Sequence, residues 1–328
     1  MAMTSLVIGG TGYVGAEICR EHMRRGDRVV VLNCSGRSGH LPLEIIAADI
    51  ADEYELNRAL RGRRFDVIHH VASLPGDSGD PAEMIRVNIT GLTNVLEYAR
   101  SVGTGRLVLS SSISAYEWYP ATRFNAPDYL PVDEEHPCRP RDIYSSTKRM
   151  QEILALTFYH QYKVPVAVLR LTAVVGPDGR GGGRSWREFA QQLCGGKRVQ
   201  IPHLSFDEVC HYVDLRDVGR MHVVAAEHAN AVGQIFNCCG PRATSGYELA
   251  SILKRHFPGV LTETGFPWSM AQGNRIEFDL AKARRMLDFA PAYSMEDSIL
   301  AIKQWIDGGG IAAEPAAGPG TVHGGSEL

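Results

Sequence analysis

At 328 residues, with 44% hydrophobic and 22% charged side chains, the chain has an ordinary globular composition and enough apolar residues for one large domain or two intimate ones. A formal net charge of -3 leaves no basic footprint for nucleic acid or an anionic membrane surface. No run is long and apolar enough to span a bilayer, so the expected partner is a small molecule.

Short β-rich runs alternate with helical periods along the first half. Strands are predicted over Leu6 to Ile8, Arg28 to Leu32, Glu44 to Ala48, Asp66 to Val71, Arg106 to Ser110 and Pro165 to Leu171. Such alternation predicts βαβ units, and so an α/β protein with a Rossmann-type doubly wound parallel sheet. Between the first two strands, a helix is predicted from Tyr13 to Arg25, with Val14, Ile18, Cys19 and Met23 on its buried face and Gly26 as its stop. Ile85, Ile89, Leu92, Leu96 and Ala99 form a second apolar stripe. Met150, Ile153, Leu154 and Phe158 form a third, in a helix predicted from Ile143 to Tyr162. All three stripes are expected to be core.

The turn between the first strand and helix reads Gly9-Gly-Thr-Gly12-Tyr-Val-Gly15. Glycine there permits a tight turn, close approach of backbone N–H groups to a pyrophosphate, and close helix-to-sheet packing, while the helix N-terminus favours negative charge. The expected ligand is a nicotinamide dinucleotide, touched by Gly9, Thr11, Gly12, Tyr13, Val14 and Gly15. A carboxylate ending the second strand would exclude a 2'-phosphate. Here the position is Asn33, and Arg37 lies close enough in sequence to pair with a phosphate, which favours NADP over NAD. Asp49 and Ile50, after the third strand, are placed by the adenine.

His69 and His70 end the fourth strand. Being adjacent, they face opposite ways, and no third ligand recurs at useful spacing, so no metal is expected. The seven cysteines (19, 34, 138, 194, 210, 238 and 239) include no C-x-x-C pair, which argues against zinc and against a disulfide framework. Cys238 and Cys239, in the strand-like run Gln234 to Gly240, should face opposite sides. Met1 leads almost directly into Leu6-Val-Ile8 without a charged and apolar leader, so a reduced, cytoplasmic protein is expected.

Ser110-Ser-Ser112 ends the fifth strand, and Tyr144-Ser-Ser-Thr-Lys148 opens the long helix. Tyr144 and Lys148, at i and i+4, share a face. A phenol of ordinary pKa about 10 is too weak a base at neutral pH, but a nearby ammonium favours the phenolate. Tyr144 is therefore read as the proton carrier, with Ser112 holding the same substrate oxygen.

The ordered set of blocks, with Val87-Asn88-Ile-Thr-Gly91-Leu-Thr-Asn94, Pro137 to Tyr144, Arg170-Leu-Thr-Ala-Val-Val-Gly-Pro177 and Val213-Asp-Leu-Arg-Asp-Val218, resembles the extended short-chain dehydrogenase/reductase family of the NAD-dependent epimerase/dehydratase type. The resemblance covers about residues 4 to 305 and implies a smaller C-terminal substrate lobe and a homodimer joined through two helices per subunit. It implies a dinucleotide domain over 1–175 with 211–240 returning to it and a capping lobe over 176–210 and 241–307, while the Gly/Ala/Pro-rich composition of 308–328 has too few apolar residues to offset its ordering entropy and is expected to be disordered. It also implies a catalytic triad of Ser112, Tyr144 and Lys148, with Ser111 the fallback for the serine. Lys148 would also bond the nicotinamide ribose, and Val71, Ala72, Ser110 and Thr172 would join the cofactor cleft.

Departures from the family pattern narrow the reaction. The 4,6-dehydratases carry Asp and Glu directly after the triad hydroxyl, where this chain has Ile113 and Ser114, so that chemistry is disfavoured. Nucleotide-sugar members bind the diphosphate through an Asn and an Arg at places held here by Ala173 and Cys210. Arg184, Arg187 or Arg275 are the candidate replacements. Trp118, Tyr119, Phe124 and Tyr129 could cover a ring-bearing substrate. The expectation is an oxidoreductase interconverting an alcohol and a ketone or aldehyde, on a substrate that need not be a nucleotide sugar. The alternatives are an NAD-dependent sugar epimerase and a non-catalytic dinucleotide-binding protein.

Overall fold

The computed structural model describes residues 2–37, 42–76, 80–116, 127–178, 184–195, 198–201, 206, 208–263 and 275–310. The first half runs β1 (Thr4–Ile8), α1 (Tyr13–Arg24), β2 (Arg28–Asn33), β3 (Glu44–Ala47), α2 (Glu53–Ala59), β4 (Val67–His70), α3 (Pro81–Ile85), α4 (Gly91–Val102), β5 (Arg106–Ser112), α5 (Ile143–Tyr162) and β6 (Val166–Leu171). Then follow β7 (Ala173–Val175), α6 (Arg184–Gly195), β8 (Arg198–Gln200), β9 (Val209–Cys210), β10 (Tyr212–Asp214), α7 (Leu215–Glu227) and β11 (Gln234–Cys238). The chain ends with β12 (Thr244–Ser245), α8 (Gly246–His256), β13 (Leu261–Glu263), α9 (Ala281–Leu287) and α10 (Met295–Asp307).

Seven strands form one parallel sheet in the order β11-β6-β5-β4-β1-β2-β3. Order reverses between β1 and β4, so a crevice opens beyond their C-terminal ends, where ligands bind in sheets of this kind. Period-two alternation sends Leu6, Ile8, Ile68, Leu107 and Leu109 against α2, α4 and α5, and Val7, Val31, Val67 and Val108 against α1 and α7. A second apolar core gathers Trp186, Phe189 and Leu193 of α6 with Leu249, Ile252 and Leu253 of α8 and Ile299 and Ile302 of α10. Cys238 and Cys239 face different cores, as alternation requires.

The three predicted stripes need correction. Met23, Ile85, Met150 and Ile153 are exposed. On α1 the buried places beside Ile18 and Cys19 belong to Glu17 and His22, and on α5 to Ser145, Lys148, Gln151 and Glu152. Polar groups with partners occupy the inward faces, so an apolar pattern points to the wrong flank. The second stripe breaks because a π-helical turn over Arg86–Thr90 separates α3 from α4 and rotates Ile85 out of line with Leu92 and Leu96.

The Gly-rich stretch at 179–183, the aromatics Trp118, Tyr119 and Phe124, and the tail from 311 lie outside the described residues. Among the described residues, no helix is long and apolar enough to cross a membrane, and no group of three or more potential ligands is placed to hold a metal.

Candidate active site

The glycine loop is cut to fit its surroundings. Gly9 has φ +84°, and a Cβ there would lie 2.9 Å from the Ala72 nitrogen. A Cβ on Gly15 would lie 2.2 Å from the Gly9 carbonyl oxygen. Gly12 is extended at the head of α1 and no side chain caps the helix, so its leading N–H groups face the crevice in the manner of an anion cradle. Gly15→Ala must therefore push the loop apart, and overpacking of this kind costs about 1–3 kcal/mol. Dinucleotide affinity measured by calorimetric titration is expected to fall at least about tenfold, and an unchanged affinity would refute the tight-loop reading.

The residues around this cradle divide by what their side chains already hold. The Tyr13 hydroxyl donates to the Gly176 carbonyl at 3.0 Å and Val14 packs into the core, so both offer the crevice only their backbone. Asn33 donates to Thr11 Oγ1 at 3.1 Å and to the Arg37 carbonyl at 2.9 Å, and accepts from the Gly36 amide at 2.7 Å. The amide thus braces its own turn, while Arg37 is exposed. Asp49 accepts from the Ala51 amide at 2.9 Å and from Arg86 at 2.8 Å. Burial opposes its charge, but these two donors hold its pKa below the usual carboxylate value. Ile50 is buried against Gly91, and the Val71 and Ala72 amides both donate to the Ile8 carbonyl at 3.0 Å, closing the crevice floor.

Ser112, Tyr144 and Lys148 meet at the C-terminal end of β5. Asp142 caps α5, its carboxylate accepting from the Ser145 amide at 2.7 Å, and this fixes the first turn on which Tyr144 sits. Ser112 lies near enough to the phenol of Tyr144 to act on its titration. Burial raises the phenol pKa, Ser112 draws it down, and Asp142 raises it, for a net upward shift. The expected lowering by Lys148 does not dominate here; burial does. Lys148 is buried, donates to the Ser110 carbonyl at 3.0 Å, and lies 5.8 Å from the Tyr144 ring centroid. Burial depresses its pKa to about 8 and Glu152 opposes that shift.

The other serines face elsewhere. Ser111 donates to Glu152 Oε1 at 2.7 Å, and the Ser110 hydroxyl lies 3.0 Å from His222 Nε2, leaving only its carbonyl to Lys148. Thr172 turns its hydroxyl to the Cys238 carbonyl at 3.4 Å.

A glycine cradle that a Cβ would fill, an uncapped helix N-terminus and a phenol–ammonium pair across the same crevice form a donor set that fits a nicotinamide dinucleotide. The sequence model described as the NAD dependent epimerase/dehydratase family matches residues 5–239. The chain belongs to this epimerase/dehydratase family. It is thus an NAD(P)-dependent enzyme of the extended short-chain dehydrogenase/reductase type. It is 25% identical over 328 residues to a UDP-glucose 4-epimerase of Lactobacillus helveticus, covering 91% of this chain and 95% of that one. Its fold is similar to the crystal structure of a UDP-glucose 4-epimerase from Thermotoga maritima with UDP-glucose, at TM-score 0.78 and 22% identity over 93% of this chain and 99% of that one. It is equally similar to the Thermus thermophilus UDP-glucose 4-epimerase in complex with NAD, at TM-score 0.76 and 23% identity with the same coverage.

Within the epimerase/dehydratase frame, the departures acquire positions. Ser114 donates its amide to Ser112 Oγ at 3.1 Å and Ile113 packs against the second core, so neither supplies an acid or base. Cys210 is fully buried in that core, its thiol pKa pushed up to about 12 by burial. Arg275 is exposed and paired with Glu277, and the side chain of Arg184 lies outside the described residues. Tyr129, the described member of the aromatic group, is exposed and bonds Asp133 at 2.6 Å.

Two polar assemblies near the site are built on residues to which the sequence pattern assigned no role. Asn88, buried in the π-helical turn, accepts from the Leu74 amide at 2.8 Å and donates to Thr147 Oγ1 at 3.0 Å, joining the crevice wall to α5. Glu152 and Arg170 form a fully buried ion pair at 2.8 Å directly below Ser111. The first could have been suspected from the quoted Val87-Asn88 block; the second lies in residues 18 apart with no local signal.

Proposed function

We propose that the protein is an NAD-dependent epimerase that inverts a hydroxyl-bearing carbon of a sugar-type substrate. The carrying observation is the Tyr144 phenol with Ser112 near enough to draw down its pKa and the Lys148 ammonium 5.8 Å from its ring centroid, in a chain whose match to a UDP-glucose 4-epimerase runs nearly end to end. NAD, held by the glycine cradle, supplies the hydride acceptor and donor. Tyr144 takes the proton of the substrate hydroxyl and returns it after the ring has presented its other face, while Ser112 holds the same oxygen. Lys148 places an ammonium beside the phenol and favours its ionised form. Catalytic and cofactor-contact roles belong to this proposal, as does NAD in place of NADP: Asn33 is committed to its own turn and does nothing to recruit a 2'-phosphate.

A second reading, an alcohol or ketone oxidoreductase, draws on Cys210 and Ala173, which give a diphosphate no charged partner where nucleotide-sugar enzymes have one. The two readings separate cleanly. An epimerase retains NAD through purification and converts substrate with no net change in NADH absorbance, whereas the oxidoreductase consumes external cofactor in proportion to product. With NAD saturating, UDP, dTDP and GDP are each expected to bind no tighter than about millimolar, or about -4 kcal/mol. Micromolar binding of one to the holo-protein would mean that other residues hold the diphosphate.

The exposed Ile85, Ile143, Met150 and Ile153 on α3 and α5 support a homodimer through these helices. The second core with α6, α8 and α10 is read as the lobe that caps the substrate, and the seven free thiols suit a reducing cytoplasm.

A further inference from the structure

Beneath the sheet, on the side away from α5, four hydrogen bonds link five residues from different elements. Asp27 Oδ2 lies 2.7 Å from His22 Nδ1; His22 Nε2 lies 2.8 Å from His69 Nε2; His69 Nδ1 lies 3.2 Å from His222 Nδ1; and His222 Nε2 lies 3.0 Å from Ser110 Oγ. The three imidazoles come from α1, β4 and α7 and are fully buried, and the Ser5 hydroxyl sits 3.2 Å from His22 as a side branch. Ser110 is the residue whose carbonyl receives Lys148.

The direction of this chain follows from its ends. An ionised carboxylate only accepts, so His22 carries its proton on Nδ1 and must accept at Nε2. His69 therefore carries Nε2–H and accepts at Nδ1; His222 carries Nδ1–H and accepts at Nε2; and Ser110 donates. Every donor points toward Asp27, and the aligned imidazole dipoles turn their electron-rich end toward Ser110 and Lys148. Burial pushes the pKa of each of the three histidines below its ordinary value. The three imidazoles are neutral throughout the range in which Lys148 titrates, and Asp27 is the one charged member.

We propose that Asp27, His22, His69, His222 and Ser110 form one directional hydrogen-bond chain that holds the Lys148 acceptor in place and electrostatically supports the Lys148 ammonium from behind the sheet. Its members are positioning residues. The chain also ties the last turn of α1 to β4, α7 and β5. Other groups bear on the same atoms. Tyr144 and Glu152 of α5 and His70 of β4 bear on Lys148, while Arg25, Asp27 and Glu227 bear on His22. None of them is altered by the substitutions at Ser110 and His222. What Lys148 does for turnover rests on the proposed triad; the chain itself does not.

The test is nuclear magnetic resonance on the full chain with NAD. Two-bond proton–nitrogen correlation at pH 7 is expected to show Nδ1–H for His22 and His222 and Nε2–H for His69, and any other pattern overturns the chain. The Lys148 pKa, followed through its Cε carbon, is expected to fall by about half a unit or more in Asp27→Asn, Ser110→Ala and His222→Phe, because each removes support for the charged form. Ser110→Ala and His222→Phe should not add in the double variant. If His222→Phe fails to fold, Ser110→Ala, which deletes one hydroxyl, still decides. A Lys148 pKa unchanged within about 0.2 units in folded variants, even with a lowered melting temperature, assigns the histidines to packing alone and overturns the proposal. These readouts need no substrate. Failure of the epimerase reading would appear separately, as absence of turnover with the tautomers and Lys148 shift intact.

Discussion

Tyr144→Phe is expected to lower turnover by at least about a hundredfold, the low end for a lost general acid–base group, while changing NAD affinity little. The argument is one of elimination and geometry. Ser112 donates to Ser114 Oγ at 3.1 Å, while Ser110 and Ser111 are committed to His222 and Glu152. Ile113 and Ser114 offer no titratable group. Burial holds the phenol above its ordinary pKa, so the free enzyme carries it protonated at neutral pH, and ionisation depends on positive charge brought close. The nearest such charge is Lys148, itself depressed to about 8. Turnover should accordingly decline as pH rises through about 8 and the ammonium is lost. Steady-state kinetics of wild type and variant across pH 6 to 9.5 checks both points. A variant retaining a third of the activity would remove Tyr144 from the proton path.

The sheet, the glycine loop and the Tyr-Lys pair were legible because each is a local pattern: alternation sets the strands, three glycines set the turn, and a four-residue spacing sets the pair. Strand-end position pointed to Ser112 for the proposed triad, and the Ser111 hydroxyl is held by Glu152. What was not legible is polar and non-local. His22, Gln151 and Glu152 are buried with partners on other elements and Glu17 with arginines of its own helix, whereas the apolar Met23, Met150 and Ile153 are outside. Hydrophobic periodicity has no term for a buried polar group whose partner lies tens of residues away. His69 shows the same gap: strand alternation separated it from His70 and made a metal pair untenable, but nothing local announced His22 and His222. Asn33 is the instructive error in chemistry, because its identity suggested NADP recruitment while its bonds close its own turn.

Glu152→Ala is expected to destabilise the protein by about 3–5 kcal/mol, the range for removing one partner of a buried ion pair. Arg170 would be left with 1% of its side chain exposed and its Nε and Nη2 donors unmet. Its remaining contacts cannot neutralise it: one guanidinium nitrogen reaches the Glu134 carbonyl at 3.2 Å, and the group stacks over the Tyr116 ring at 4.3 Å. Burial works against the Glu152 charge, but Arg170, Ser111 and Arg149 together hold its pKa below the ordinary value. Glu152→Gln, which keeps the volume and one acceptor, should fall between wild type and Ala. Replacing both partners with leucine should cost less than Glu152→Ala alone, because no charge is then stranded. Urea unfolding followed by two probes measures all four proteins, and a loss below about 1 kcal/mol for Glu152→Ala would show that water reaches Arg170. The pair also ties stability to the site. The Tyr116 hydroxyl lies 2.7 Å from Asn237 Oδ1 and 2.9 Å from the Asp133 carbonyl and shares its one proton between them, so α5, β6, β11 and the chain before Tyr144 are braced around one guanidinium. Loss of turnover in Glu152→Gln beyond its loss of folded fraction would therefore report misplacement of Tyr144 and Lys148, which lie on the same helix.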